Sequence, residues 1–344
     1  MTKYVTIKDI ALELGLSKST VSRALSGDMH NVKADTMRLI CDTAARMGYH
    51  RNEMAVSLRR QRSGNIGIII PEMVTSFYMN FIAQVQSWLR RKGYKVLIAV
   101  SNEQAEQERE NIELMERCMV DGLLISVCDK SENALLYRTV IHRGIPIVFF
   151  DRAVDGVEAS QVHLDDYIMS FFMVERLIRN GCRHIVHLSG PTRIRNSYDR
   201  LRGYRDALEK FHIPYNSELV LRPALSADEG SAVMGKFLDR QVPFDAVFGF
   251  TETALVGAKR IMQKRGLRIP ADASVCCMSG TTLSTLVHPT LTAVEQPVER
   301  MAQEACRLLM AHLADPMKPA EDIALRGTIV ERESARAATA DAEA

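Results

Sequence analysis

No apolar run in this chain of 344 residues approaches the roughly 20 residues that cross a bilayer, which excludes a helical membrane protein. The first 25 residues alternate polar and apolar positions and do not form the apolar centre of an export signal, so a cytoplasmic protein is expected. The seven cysteines, at 41, 118, 128, 182, 276, 277 and 306, form no C-x-x-C pair and have no histidine at ligand spacing. Cys276 and Cys277 are neighbours on an expected strand, where adjacent side chains point to opposite faces and cannot share one metal. All seven read as reduced structural thiols, and no metal or other cofactor is expected. G-x-S-x-G, H-E-x-x-H and the P-loop are missing as well, which removes the common hydrolase, metalloprotease and nucleotide-hydrolysing signatures. His184 and His187 are at odd spacing on an expected strand and fall on opposite faces. His163 and Asp165 share a face at a strand end, which is equally a plain cleft lining. The chain is therefore read as a non-enzyme. Residues after about Ser334 are rich in alanine and charge without a leucine heptad, so a disordered tail and no coiled coil are expected.

What is present begins with an uneven charge. Residues 1–62 carry 11 Lys and Arg against 6 Asp and Glu, whereas the rest carries 33 against 36. The basic excess thus lies at the N-terminal end, where phosphates would be met. In the same stretch Ile7, Ile10, Ala11 and Leu14 recur at i, i+3, i+4 and i+7, with Thr6 as N-cap and Gly15 as terminator, which describes one short helix. Leu16 plugs the corner and Ser17 caps a second helix. There Val21, Ala24 and Leu25 turn inward while Lys18, Ser19, Ser22 and Arg23 stay outside. A third helix follows through Met37, Ile40, Cys41, Ala44 and Met47 and closes at Gly48. Two short helices at a tight corner, with a third to complete the core, make a helix-turn-helix. The exposed short polar and cationic groups of its second helix suit a major groove, with Lys18, Ser19 and Arg23 as base readers. Thr6, Thr20, Ser22 and Asn31 are better placed for phosphates, which position without specifying. From Tyr49 to Arg62 runs an arginine-rich connector with Met54, Ala55 and Leu58 on one side and Arg59, Arg60 and Arg62 following. An apolar wedge beside arginines is what kinking a minor groove requires.

Beyond residue 62 the pattern alternates. Short β-branched runs at Ile66–Ile70, Lys95–Val100, Gly122–Val127 and Pro146–Phe150 are separated by helical stretches at Phe77–Arg91, Gln104–Cys118 and Ser131–His142. A second cycle has strands at Val162–Leu164, His184–Leu188, Asp245–Gly249 and Ser274–Met278, and helices near Tyr167–Asn180, Tyr198–Phe211, Asp228–Leu238 and Glu252–Arg265. Strand-helix repetition of this kind builds parallel sheets covered on both faces. Two such lobes in tandem leave a cleft at the C-terminal ends of their strands.

Thr-Val-Ser-Arg-Ala-Leu at 20–25, Met-Gly-Tyr at 47–49, and Ala55, Ser57, Leu58 and Arg59 in the connector resemble the head and hinge of the LacI/GalR transcriptional regulators. The likeness continues through Ile-Gly-Ile-Ile-Ile-Pro at 66–71, Val-Asp-Gly-Leu-Leu-Ile at 120–125 and Ile-Pro-Ile-Val-Phe-Phe-Asp-Arg at 145–152. It extends to Arg200 with Gly203 and Tyr204, Arg-Ile-Pro at 268–270 and Gln-Pro-Val at 296–298. The resemblance implies an α plus α/β protein: a helix-turn-helix head at 1–48, a hinge at 49–62 and a two-lobed body like the periplasmic binding proteins. The expected first lobe is 63–161 with about 295–321, and the second is 162–294 with about 322–333. A homodimer on a pseudo-palindromic DNA operator follows, with Ala55, Leu58 and Arg59 entering the minor groove and the dimer surface on the 77–91 and 111–118 helices.

By match to family motifs, the cleft residues for a small effector would be Phe77, Tyr78, Asp151, Arg152, Asp165, Arg200, Thr251 and Ser279. The resemblance implies aromatic faces stacked on a sugar, with Asp and Arg holding hydroxyls. Two positions depart from the family. Thr251 and Glu252 stand where relatives carry Asn-Asp, and Cys277, Met278 and Ser279 stand where they carry Gly-aromatic-Asp. Loss of those partners, with Arg152, Arg193, Arg195 and Arg200 converging on the rim, favours a sugar acid or sugar phosphate over a neutral hexose. A solute-binding receptor, or a regulator answering to a protein partner, would use the same body. The basic head and the lack of an export segment tell against the receptor.

Overall fold

In the computed structural model, which describes residues 5–28, 30–49, 62–221 and 224–336, Thr6 opens the first helix through a reciprocal capping box. The Asp9 amide donates to Thr6 Oγ1 (3.4 Å) and the Thr6 amide donates to Asp9 Oδ2 (2.8 Å). Helix α1 (Ile7–Leu14) ends on Gly15 at φ 65°, α2 (Lys18–Leu25) starts under a Ser17 cap, and α3 (Ala34–Arg46) is followed by Gly48 at φ 69°. Their shared core is Ile10, Ala11, Val21, Ala24, Val32, Ile40 and Ala44. Cys41, expected inside, is exposed on α3. The chain divides at Ser63 and Gly64 into this head and a second compact unit.

The second unit contains two six-stranded sheets. The first is built from β1 (Asn65–Ile70), β2 (Lys95–Val100), β3 (Gly122–Ile125), β4 (Ile147–Phe150), β5 (Ser160–Leu164) and β11 (Asp322–Leu325), in the order β11-β5-β4-β3-β1-β2. The second comprises β6 (Ile185–Leu188), β7 (Val220–Leu221), β8 (Ala246–Gly249), β9 (Ser274–Gly280), β10 (Thr292–Glu295) and β12 (Thr328–Val330), in the order β12-β10-β9-β8-β6-β7. All pairings are parallel except β10 with β12. Helices α4 (Ser76–Arg90) and α12 (Val298–Ala314) cover one face of the first sheet, and α5 (Ala105–Arg117) and α6 (Ala134–His142) cover the other. In the second lobe α7 (Asp166–Arg179) and α8 (Arg195–Lys210) lie on one face, α9 (Ala227–Asp239) and α10 (Glu252–Lys264) on the other, and α11 (Thr282–Leu286) follows β9. The central strands are thus buried on both faces and read as continuous apolar runs, whereas the edge strands β2, β11 and β12 stay partly exposed.

The outer helix pair of the second lobe packs backbone against backbone. A methyl group added at Gly257 would stand 1.8 Å from the Ala227 carbonyl oxygen, and one at Gly230 would stand 2.0 Å from that of Ala254. Only glycine allows α9 and α10 to approach this closely.

Three expectations are corrected. Residues 162–164, expected in the second lobe, belong to the first, since β5 pairs with β4. The β4–β5 connection, residues 151–159, contains no helix, so a break in the local alternation looked like a lobe boundary although the strands are partners. Residues 322–325 likewise join the first sheet through β5, and only β12 belongs to the second. The chain therefore crosses between lobes after Leu164, Glu295 and Leu325. Residues 334–336, expected to open a disordered tail, are ordered: Ser334 is buried and donates to the Val275 carbonyl, while Arg336 donates to the carbonyls of Pro270, Ala271 and Asp272. The cysteines are all free thiols, but Cys41 and Cys118 are exposed and not structural. Cys276 and Cys277 do face opposite cores.

Candidate functional site

The head offers one face. Ser17 Oγ accepts the Thr20 amide (3.1 Å), and Ser17, Ser19 and Thr20 form a hydroxyl cluster at the N-terminus of α2 (2.7 and 2.8 Å). Lys18, Ser19 and Arg23 are exposed on this helix. No carboxylate lies within ion-pair distance of Lys18 or Arg23 among the described residues. A rigid helix with its positive dipole end, a lysine and an arginine outward is a surface for nucleic acid. Of the expected phosphate contacts, Thr20 and Ser22 lie partly exposed on the same helix. Thr6 is exposed and engaged in its capping box. The Asn31 amide donates to Asp28 Oδ2 (2.8 Å), a bond that leads the causes holding the Asp28 carboxyl below its ordinary range. Ala55, Leu58 and Arg59 lie outside the described residues.

In the body, the expected cleft residues sit at the C-terminal ends of strands in both sheets but do not form one open site. Phe77 and Tyr78 occupy the first turn of α4 with their rings in the core, edge-on to each other at 5.1 Å, with Tyr78 edge-on to Phe150 at 6.4 Å. They do not present faces for stacking, because their helical phase matches Phe81, Ile82 and Val85. The Tyr78 hydroxyl instead donates to Asp151 Oδ2 (2.7 Å), and burial raises its pKa well above the ordinary value. Asp151 adopts φ 60° just past β4. Arg152 forks onto Glu103, Nη1 to Oε2 at 2.8 Å and Nη2 to Oε1 at 2.7 Å. Burial opposes the Arg152 charge, yet Tyr78, Glu103 and Asp151 hold its pKa above the ordinary value.

On the second lobe Asp165 caps α7 by accepting the Ile168 amide (3.1 Å). The neighbour that sequence reasoning passed over, Asp166, is buried and takes Arg200 Nε at 2.6 Å. Arg200 also donates to the Phe250 carbonyl and lies over the Phe250 ring (4.4 Å). Burial pushes the Asp166 carboxyl up to about 6 against the pull of Arg200. Thr251 caps α10, accepting the Ala254 amide (3.3 Å), and Ser279 Oγ accepts the Glu252 amide (3.1 Å). The buried Glu252 carboxylate accepts from Thr281 and Ser284 and so is consumed in starting α11. The four arginines do not all converge: two of them meet on one acid and the other two are held elsewhere. Arg152 and Arg193 share Glu103, Arg195 pairs with Asp155 (3.2 Å) and Asp199 (3.5 Å), and Arg200 holds Asp166. Glu103 and Asn196, whose amide donates to the Asp151 carbonyl (3.3 Å), carry no motif that would have singled them out.

Residues 6–52 match the model of bacterial regulatory proteins of the lacI family, and residues 174–335 match a periplasmic binding protein-like domain. The head is a DNA-binding domain of the lacI family, and the body carries a periplasmic binding protein-like domain. The chain is a DNA-binding transcriptional regulator, and its similarity to relatives runs nearly end to end. It is 26% identical over 308 residues to the ribose operon repressor of Halalkalibacterium halodurans, covering 90% of each chain. It is 28% identical over 306 residues to the HTH-type transcriptional repressor CytR of Escherichia coli, covering 89% of each. Among solved structures, the transcriptional regulator CelR–cellobiose complex superposes with a TM-score of 0.73 at 27% identity, over 96% of this chain and 99% of that one. The lac repressor dimer bound to operator and the anti-inducer ONPF superposes with 0.87 over 97% and 100%, and at 22% identity it speaks for the fold. Among the described residues of this regulator no helix is long and apolar enough to cross a membrane, and no three His, Cys, Asp or Glu side chains group as a metal site.

Proposed function

We propose that this regulator is a cytoplasmic repressor that reads a pseudo-palindromic operator as a homodimer, and that a small sugar-derived effector between the lobes sets its affinity. The observation that carries the reading is the exposed face of α2, where Lys18, Ser19 and Arg23 stand on a three-helix core and the two cations make no ion pair among the described residues. Arg23 and Lys18 read base edges, and Thr6, Thr20, Ser22 and Asn31 set register on the phosphates. Ala55, Leu58 and Arg59 enter the minor groove at the dyad. One head covers a half-site, so two copies are required. Support for the dimer comes from Met73, Val74, Met79, Ile98, Leu114 and Met119, exposed apolar residues on or beside α4, β2 and α5. An effector touching both lobes favours one lobe arrangement over another and shifts operator affinity by that difference, typically about 1–3 kcal/mol. Sugar ligands are favoured by the names of the ribose and cellobiose relatives. Selection of bound duplexes from a random pool, repeated with sugars present, tests all of this. An inverted repeat whose enrichment changes with one sugar is expected, and indifferent binding to every duplex refutes the reading.

A further inference from the structure

The contacts between the lobes gather on one short stretch of the second lobe. Arg193 reaches Glu103 (3.4 Å) and its carbonyl accepts the Lys130 amide (3.0 Å), Arg195 reaches Asp155, and Asn196 reaches Asp151. Glu103 is the unusual member. It follows β2 at the cleft side with φ 58°, directly after Asn102 at φ 48°, so two successive residues other than glycine hold a left-handed backbone that costs energy. That loop delivers a carboxylate between two guanidinium groups from opposite lobes, one buried and gripping it with both nitrogens, the other half-exposed and closing over it. The Asp151 carboxylate beside them is occupied by Tyr78 and Ser126. Ser197, in the first turn of α8, has a buried Oγ with no hydrogen-bond partner among the described residues. A forked arginine with a second cation above it is how proteins seize the carboxylate or phosphate of a ligand. Here the chain supplies the carboxylate itself.

We infer that Arg152 and Arg193 form an anion site occupied by Glu103 as a tethered surrogate, and that an effector bearing a carboxylate or phosphate binds by displacing it. This rests on the effector reading above and names the chemistry of its site. Because Glu103 is held in place it competes at high effective concentration. Simple anions are thereby rejected, and a ligand must bring further contacts to win. Glu103 is on this account a specificity-determining residue.

Calorimetric titration of the full chain tests the inference, with glucose 6-phosphate and gluconate as acidic probes and glucose and cellobiose as neutral ones. Glu103→Gln keeps the shape and removes the charge, and is expected to tighten binding of an acidic probe on the order of tenfold while leaving neutral sugars unchanged. Arg193→Gln, at a half-exposed position, is expected to weaken the same acidic probe and to leave neutral sugars alone. Unaltered acidic affinity in both variants overturns the inference, as does an equal gain for neutral sugars in Glu103→Gln, which would mean only a looser cleft. A separate result speaks to the effector reading. If the acidic gain is seen but no sugar alters operator binding, the anion site stands and that reading fails.

Discussion

The head and the cleft use charge in opposite ways. On α2 the cations Lys18 and Arg23 face solvent and make no ion pair among the described residues, whereas in the body Arg152, Arg193, Arg195 and Arg200 each hold an acid of the same chain. An exposed, uncompensated cation is available to a polyanion and contributes little to folding. A buried, paired one is structural first and must exchange partners to bind anything. The head is thus ready to bind as it stands, and the cleft answers only to ligands that outcompete its own residues.

That contrast can be broken at several points. The largest effect is expected from Arg200→Leu, which leaves Asp166 buried without its cation. Chemical denaturation should show the body destabilised by about 3–5 kcal/mol, with the head's half-site contacts untouched, and a loss below 1 kcal/mol would mean the pair is not structural. A second effect is titratable. His187 is buried between the rings of Tyr204 and Phe248, and burial lowers its pKa from 6.5 to about 4. The fold holds the neutral form, so this contribution is complete above pH 6.5 and is lost as pH falls towards 4. Stability should drop by about 2 kcal/mol between pH 7 and pH 5, and His187→Gln should flatten that slope. In the head, Arg23→Ala should leave stability nearly unchanged but cost about 1–3 kcal/mol of discrimination between operator and mutated duplex in a competition assay. Equal weakening on every duplex would move Arg23 from base reader to phosphate contact. The smallest effect is Thr6→Ala, which removes the capping box and should lower the head's melting stability by about 1 kcal/mol without altering the body's transition.

The head was legible because its signals are local. Thr6, Gly15 and Ser17 act within one turn of where they stand, and the i, i+3, i+4 spacing of Ile7, Ile10 and Ala11 decides which face is buried. The two-lobe α/β body was equally readable from alternating strands and helices. Which sheet a strand joins was not, because β5 and β11 find their partners through pairing that no local pattern encodes. The cleft failed for a finer reason. A difference of one residue separates Asp165, which caps α7, from Asp166, which meets Arg200, and Glu103 reaches its arginines through a turn that has no motif. Phe77 and Tyr78 were placed on the right element, but only packing determines that their rings go inward.

The backbone contact between α9 and α10 carries a mechanical meaning. With no side chain at Gly230 or Gly257 to act as a cushion, the pair has no slack. A rotation imposed on Thr251, at the cleft end of α10, is expected to move α9 with it. A spectroscopic label on the outer surface of α9 would therefore register events at the cleft it never touches.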